Sequence, residues 1–162
     1  MKKVFFSIII SFVLTSALTA QETNFKIKTI NNSRVELKEL YSKGAVLVNF
    51  WALWCQPCRV EMKYLNDIYE KYKDKGFTIL GINQDSPKSV SKVRSYISSQ
   101  KINYPVALDP NEQYLQKLNG QSVPYSLLYD SNGKLVYKHS GFLPGDEVEI
   151  EKHIEETLSE KN

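Results

Sequence analysis

The sequence predicts an α/β fold in which helices cover both faces of a mixed central β-sheet. Two nearly continuous apolar runs, AVLVNFW at 45–51 and FTILGI at 77–82, are typical of strands that are buried on both faces. Each run is followed by a segment with helical periodicity, and a hairpin and a last helix close the chain. A length of 162 residues is enough for one domain with a sizeable core.

The N-terminus differs in composition from the rest of the chain. Lys2 and Lys3 precede an apolar run at 4–20 that ends in small residues, a pattern typical of a secretory signal. We therefore expect a signal peptide at 1–20 and a folded domain at 21–162; an uncleaved membrane anchor is the alternative. Export predicts a location in the periplasm or cell envelope, where disulfides persist.

The net charge gives no indication of a nucleic-acid partner. Cleavage after Ala20 removes two lysines and no acid, so the formal net charge falls by two, from +3 to +1. The sequence has no basic run of the kind that binds nucleic acid, and we expect no such partner.

The first half of the domain predicts a hairpin, a buried strand and a long helix. FKIKTI at 25–30 and RVELKEL at 34–40 alternate in polarity around an Asn-Asn turn, which indicates two paired strands. The helix is expected from Gln56 to about Lys75, with Gly76 as its C-terminal cap. Its apolar residues recur at every fourth position, namely Val60, Tyr64, Ile68 and Tyr72.

The second half predicts three more helices and three more strands after the buried strand at 77–82. Ser86-Pro87 is a good helix start, and Ser-Asn-Gly at 131–133 is suited to a tight turn between two strands. In order, we expect a helix at 87–100, a strand at 104–108, a helix beginning near Asp109, a hairpin formed by 122–130 and 134–140, and a helix at 146–158.

The two cysteines, Cys55 and Cys58, follow a buried strand directly and open a helix. Backbone N–H groups at a helix start stabilise a thiolate relative to a thiol. We expect Cys55 to be the attacking sulfur and Cys58, one turn further and deeper, to resolve the mixed disulfide. Gln56 and Pro57 between them are expected to tune the reduction potential, and Pro57 also helps to start the helix.

The segment NFWALWCQPCRVEM resembles the active site of the thioredoxin superfamily, and especially its extracytoplasmic TlpA/ResA/DsbE-like branch. The resemblance implies a thioredoxin-like fold with an N-terminal hairpin and a helix–strand insertion at 87–108. It also implies a thiol–disulfide oxidoreductase that acts without a cofactor. It favours a reductase of disulfides in exported proteins such as apocytochrome c, with a membrane thiol reductant as electron donor.

The resemblance also implies how a substrate binds. A cis Pro124 is expected to face the cysteines and to expose the main chain of Val123 to an extended peptide, which would pair by β-strand addition. Trp54 offers a flat apolar surface beside Cys55, whereas Trp51 is expected in the core.

Four residues depart from the family pattern or leave their role open. Asn49 stands where thioredoxin has a buried aspartate, and Lys63 stands where the family often has a kink proline, so we expect a straighter helix. Asp85 is a candidate proton acceptor for Cys58, with capping of the following helix as the alternative. Glu61 is a second candidate acid, with a place on the helix surface beside a basic partner as the alternative.

A metal-binding module for copper delivery on the same fold is the competing function. It needs soft ligands and a further donor, and a structural zinc site needs four ligands. The sequence has two cysteines and two histidines, His139 and His153, which are expected in the C-terminal hairpin and helix. We therefore expect no metal site. A non-catalytic interaction domain is a third interpretation.

Overall fold

The computed structural model describes residues 23–160, and the predicted signal peptide at 1–20 lies outside the described residues. Within residues 23–160, none of the helices has the length and apolar character needed to cross a bilayer. The elements are, in chain order, β1 (Lys26–Lys28), β2 (Arg34–Glu36), α1 (Leu37–Tyr41), β3 (Ala45–Trp51), α2 (Gln56–Tyr72), β4 (Phe77–Asn83), α3 (Val90–Ser99), β5 (Val106–Leu108), α4 (Gln113–Lys117), β6 (Tyr125–Tyr129), β7 (Leu135–Ser140) and α5 (Asp146–Ser159).

The central sheet is mixed, in agreement with the prediction. Its order is β5-β4-β3-β6-β7, and β1 and β2 form a separate antiparallel hairpin. β3 pairs in parallel with β4, and β4 with β5, whereas β6 and β7 are antiparallel to their neighbours. All residues of β3 are buried, which explains why its sequence is a continuous apolar run.

Two hydrophobic cores lie on opposite faces of the sheet. The first contains buried residues of α2, α3 and α5, and the second contains residues of the hairpin, α1 and α4. Alternate residues of β3 face each core, so that Leu47 and Trp51 lie in the first and Val48 and Phe50 in the second. Helices therefore cover both faces, as the sequence predicts.

Several boundaries differ from the expectation, and the helix expected at 87–100 is α-helical only over Val90–Ser99, after a 3-10 turn at Pro87–Ser89. RVELKEL is a strand only over Arg34–Glu36 and then forms α1, because Leu37 and Tyr41, one helical turn apart, are both buried in the second core. The strand expected at 104–108 is reduced to β5. The helix expected near Asp109 begins at Gln113, although the Asp109 carboxylate accepts hydrogen bonds from the first N–H groups of α4.

The helix α2 runs without interruption through Lys63 and ends in a short 3-10 turn at Lys73–Lys75. Gly76 follows with a φ of 87° and acts as the expected C-terminal cap. The fully buried face of α2 is centred on Cys58, Met62 and Leu65, while the predicted stripe residues Val60 and Tyr64 lie at its margin and are only half-buried.

Candidate active site

The cysteine pair occupies the junction between β3 and α2. Cys55 is the N-cap residue of α2, and its Sγ accepts a hydrogen bond from the backbone N–H of Cys58 over 3.2 Å. The two residues form a disulfide, so the structure describes the oxidised state. Cys58 is fully buried and Cys55 is 5% exposed, so Cys55 is the more accessible sulfur-bearing residue. Gln56 begins α2, and Pro57 lies in its first turn, as expected.

In the loop before Cys55, both backbone groups of Leu53, its N–H and its carbonyl, form hydrogen bonds to side chains. The carboxylate of Asp85 accepts a hydrogen bond from the Leu53 N–H over 2.7 Å, and the Arg59 guanidinium donates to the Leu53 carbonyl. The side-chain amide of Asn83 donates to the same Asp85 oxygen over 2.8 Å. Helix capping by Asp85 is therefore wrong, because its carboxylate faces the loop before the cysteines instead of the following helix.

The two tryptophans have opposite environments. Trp51 is fully buried and its ring packs on Tyr96 at a centroid distance of 5.6 Å, in agreement with a core role. Trp54, directly before Cys55, is 66% exposed. Its role as a surface for a substrate stays a prediction, but its position beside the disulfide is suited to that role.

The Val123–Pro124 peptide bond is cis, as the resemblance implies. Pro124 directly precedes β6, which is antiparallel to β3, and Phe50 is paired with Tyr125. The next position in this register brings Pro124 beside Trp51, at the end of β3 from which the cysteine loop departs. The Pro124 carbonyl accepts a hydrogen bond from Gly141 over 2.9 Å, which ties this position to the loop after β7.

Glu61 is fully buried, so its expected place on the helix surface is wrong. It lies three residues after Cys58 in α2 and thus on the same face of the helix. Its carboxylate accepts hydrogen bonds from Asn49 Nδ2 over 2.9 Å and from Ser126 Oγ over 3.1 Å. Asn49 and Ser126 are paired across β3 and β6, and together they provide a polar site for the acid within the sheet.

Burial raises the pKa of Glu61 from 4.5 to about 7, against the effect of the hydrogen bonds from Asn49 and Ser126. The negative charge of Asp146 raises it further. The side chain therefore changes protonation state near neutral pH, which is the range in which a proton acceptor for a thiol is useful.

Ser126 is a site residue that sequence reasoning missed. The signal available in the sequence was a polar residue inside each of two otherwise apolar strands, Asn49 in AVLVNFW and Ser126 in YSLLY. A buried polar residue needs a hydrogen-bond partner, so two such residues in strands that pair indicate a shared polar contact.

The histidines do not join the cysteines in a ligand cluster. His139 Nε2 lies 3.1 Å from Asp146 Oδ2, and the His153 ring stacks on Tyr137 at 4.2 Å. Over the described part of the chain, no group of three or more His, Cys, Asp or Glu side chains could hold a metal ion. The copper-delivery alternative therefore rests on the two cysteine thiols alone.

Comparison with known proteins identifies the family. The family model described as AhpC/TSA matches residues 19–138. The chain belongs to the AhpC/TSA family. Among the relatives of this AhpC/TSA member is a thiol-disulfide oxidoreductase ResA of Bacillus cereus, which is 34% identical over 126 residues that cover 78% of this chain and 71% of the relative.

Solved structures agree with this assignment. A crystal structure from Chlorobium tepidum, described as a thiol:disulfide interchange protein DsbE, matches with a TM-score of 0.77 and 30% identity over 85% of this chain and 94% of the other. A solution structure from Bacteroides thetaiotaomicron, described as a protein disulfide isomerase, matches with a TM-score of 0.74 and 30% identity, covering 85% of this chain and 87% of the other. The thioredoxin-like fold is thus confirmed, and with the Cys55–Cys58 disulfide this AhpC/TSA member is a thiol–disulfide oxidoreductase of the ResA/DsbE-like type.

Proposed function

We propose that the protein is an extracytoplasmic reductase that passes electrons from Cys55 and Cys58 to disulfides of exported proteins, with apocytochrome c as one substrate. A membrane thiol reductant would return the pair to the dithiol form. The observation that carries the proposal is a thiol pair at a helix start with a buried carboxyl of pKa about 7 one turn behind the deeper thiol. The signal-like segment at 1–20 and the resemblance to an extracytoplasmic branch support the location.

The first step uses Cys55 as the nucleophile. Its position as N-cap places its sulfur where backbone N–H groups stabilise negative charge, and the Cys58 N–H already points at it. The Cys55 thiolate attacks one sulfur of the substrate disulfide, a mixed disulfide forms, and the other substrate sulfur leaves as a thiolate that takes a proton from water.

The second step uses Cys58 and Glu61. The buried Cys58 thiol transfers its proton to the Glu61 carboxylate and attacks the Cys55 sulfur, which forms the disulfide seen in the structure. The substrate sulfur leaves as a thiolate and takes a proton from water, so the substrate is released as a dithiol. The burial of Glu61 on the face of α2 that carries Cys58 supports this assignment. Asp85 is the weaker candidate, because its carboxylate holds the loop before the cysteines, whereas Glu61 lies on the face of α2 that carries Cys58.

The substrate is expected to bind across the end of β3. Its extended segment would pair with the main chain of Val123 beside Pro124 and rest against Trp54. The exposure of Trp54 and the position of Pro124 next to the end of β3 support this arrangement.

Two variants test the mechanism in the exporting cell and with purified protein. Cys58→Ala removes the resolving sulfur, so mixed disulfides with exported proteins should accumulate, whereas Cys55→Ala should trap none. Recovery of no partner from Cys58→Ala, together with stoichiometric copper binding by the native protein, would overturn the proposal in favour of the metal module. Equilibration with a dithiol buffer gives the direction of electron flow, since a potential as oxidising as about −120 mV would contradict a reductase.

A further inference from the structure

A groove runs between α2 and α3 and reaches Gln56, the first residue of α2. It consists of two adjoining cavities of about 330 Å³ and about 200 Å³, which share Lys63, Tyr96 and Gln100 as lining residues. The larger cavity begins at Gln56, the residue directly after Cys55, so a molecule that reacts at Cys55 can extend into the groove.

The wall formed by α2 is basic. Arg59 and Lys63 both line the larger cavity, one turn apart on the same side of the helix. Arg59 uses part of its guanidinium to hold the Leu53 carbonyl. Lys63 is exposed and has no ion-pair partner within residues 23–160, and Asp67 is the single acid among the described residues that lines either cavity. Among these described residues, the larger cavity thus has two cations and no acid in its lining, whereas Lys63 and Asp67 balance each other in the smaller cavity.

The charge of the wall indicates an acidic segment as the occupant. Carboxylates on an extended segment of the substrate can pair with the basic side chains Arg59 and Lys63.

The length of the groove fits a segment that flanks a cysteine. Gln56 and Lys63 are seven residues apart in a helix, which corresponds to about 10 Å along its axis. An extended chain covers that distance in about three residues. An acidic side chain about three residues from a cysteine that has reached Cys55 therefore lies close to Lys63.

The charges on the other side of the site have the opposite sign. The first turn of α5 carries Asp146, Glu147 and Glu149, and it follows β7, on the side of β3 away from β4 and β5. The helix α3 connects β4 to β5, so the basic groove and the acidic turn lie on opposite sides of the cysteine loop. This asymmetry favours one direction for a charged substrate segment.

We propose that the groove between α2 and α3 binds an acidic segment of the oxidised protein substrate, about three residues from its reactive cysteine, and that Lys63 selects for it. This inference rests on the proposed reductase function and adds the charge of the substrate to it.

Two disulfide peptides that differ by one residue test the proposal. Both carry the same sequence around the cysteine, with either Asp or Lys three residues away, and kcat/KM is measured with the full-length protein at low ionic strength. We expect the native protein to favour the Asp peptide about fivefold, as one exposed ion pair allows. Lys63→Glu should remove or reverse this preference, and Lys63→Arg should keep it. At about 1 M salt the preference should fall towards one, because the Debye length shrinks to about 3 Å.

Lys117→Glu is the matched control, because this lysine lies on α4 in the layer on the opposite face of the sheet and the charge change is the same. If the native protein and Lys63→Glu reduce uncharged 2-hydroxyethyl disulfide at equal rates, the variant has a folded active site. If Lys63→Glu does not fold, Lys63→Gln takes its place in the peptide assay. Equal kcat/KM of the native protein for both peptides would overturn the inference while leaving the reductase function intact. Reduction of neither peptide would overturn both.

Discussion

Replacement of Glu61 by glutamine gives a direct measure of the buried carboxyl. In the folded protein burial raises its pKa from 4.5 to about 7, and this rise corresponds to about 3 kcal/mol. Below pH 4.5 the Glu61 carboxyl is protonated in both the folded and unfolded states, so its titration does not change the free energy of unfolding. As the pH rises to 7 and beyond, the unfolded chain loses the proton first, and the folded protein loses about 3 kcal/mol of stability. A glutamine at position 61 does not titrate and shows no such loss.

The assay is urea unfolding of the oxidised protein at several pH values from 4 to 9, because the disulfide keeps the cysteines from titrating. The free energy of unfolding of Glu61→Gln minus that of the native protein should increase by about 3 kcal/mol over the range from pH 4.5 to above 7. A constant offset from altered hydrogen bonds to Asn49 and Ser126 does not affect this slope.

The same variant should resolve mixed disulfides about a hundredfold more slowly at neutral pH, since general acid–base catalysis contributes at least that factor.

Glu70→Gln is the matched control on the same helix. A hydrogen bond from Lys73 lowers the pKa of Glu70, so the stability that this acid contributes is present above its unfolded pKa and is lost as the pH falls through the folded pKa. The free energy of unfolding of Glu70→Gln minus that of the native protein should therefore stay constant between pH 5 and 9. If the corresponding difference for Glu61→Gln is also constant over that range, the Glu61 carboxyl titrates as an ordinary exposed acid. It is then not the proton acceptor for Cys58.

Three further substitutions test the surroundings of the site. Asp85→Ala leaves the Leu53 N–H without its acceptor and should lower the free energy of unfolding by about 2 kcal/mol in urea titrations. Gly44→Ala would place a Cβ 1.8 Å from the Gly76 carbonyl oxygen at the start of the β3–β4 pair, and a loss of about 3 kcal/mol should appear in the same assay. Trp54→Ser should change stability by less than about 0.5 kcal/mol and lower kcat/KM for reduction of insulin about tenfold, and an unchanged kcat/KM would remove Trp54 from the substrate surface.

The parts of the fold that the sequence predicts correctly are those with a local signal. The continuous apolar run at 45–51, the cysteine spacing and Pro57 together mark a strand that turns into a helix, and the structure has Cys55 at that turn. The helix α1 has no such signal, because five residues are too few to show a helical period, and its two buried side chains fit a strand pattern equally well.

The wrong placement of Glu61 has a geometric cause in the periodicity of α2. A helix has 3.6 residues per turn, so a stripe of residues at strict spacing of four drifts by about 40° at each step. The predicted stripe therefore begins at the margin of the buried face with Val60 and Tyr64, and moves into that face only at Ile68 and Tyr72. The buried centre follows mixed spacings of three and four, and Glu61 belongs to it.

An acid at the centre of a buried face is recognisable only when its partners are known. Asn49 and Ser126 are 77 positions apart, and the register of β3 against β6 brings them together beneath α2. An apolar residue of similar size would avoid the stability cost that ionised Glu61 brings above neutral pH. A buried carboxyl that destabilises the fold at working pH, and lies on the same face of α2 as the deeper thiol, is therefore best explained by its protonation. The pH dependence of the stability and the rate at which Cys58 resolves the mixed disulfide depend on this same proton.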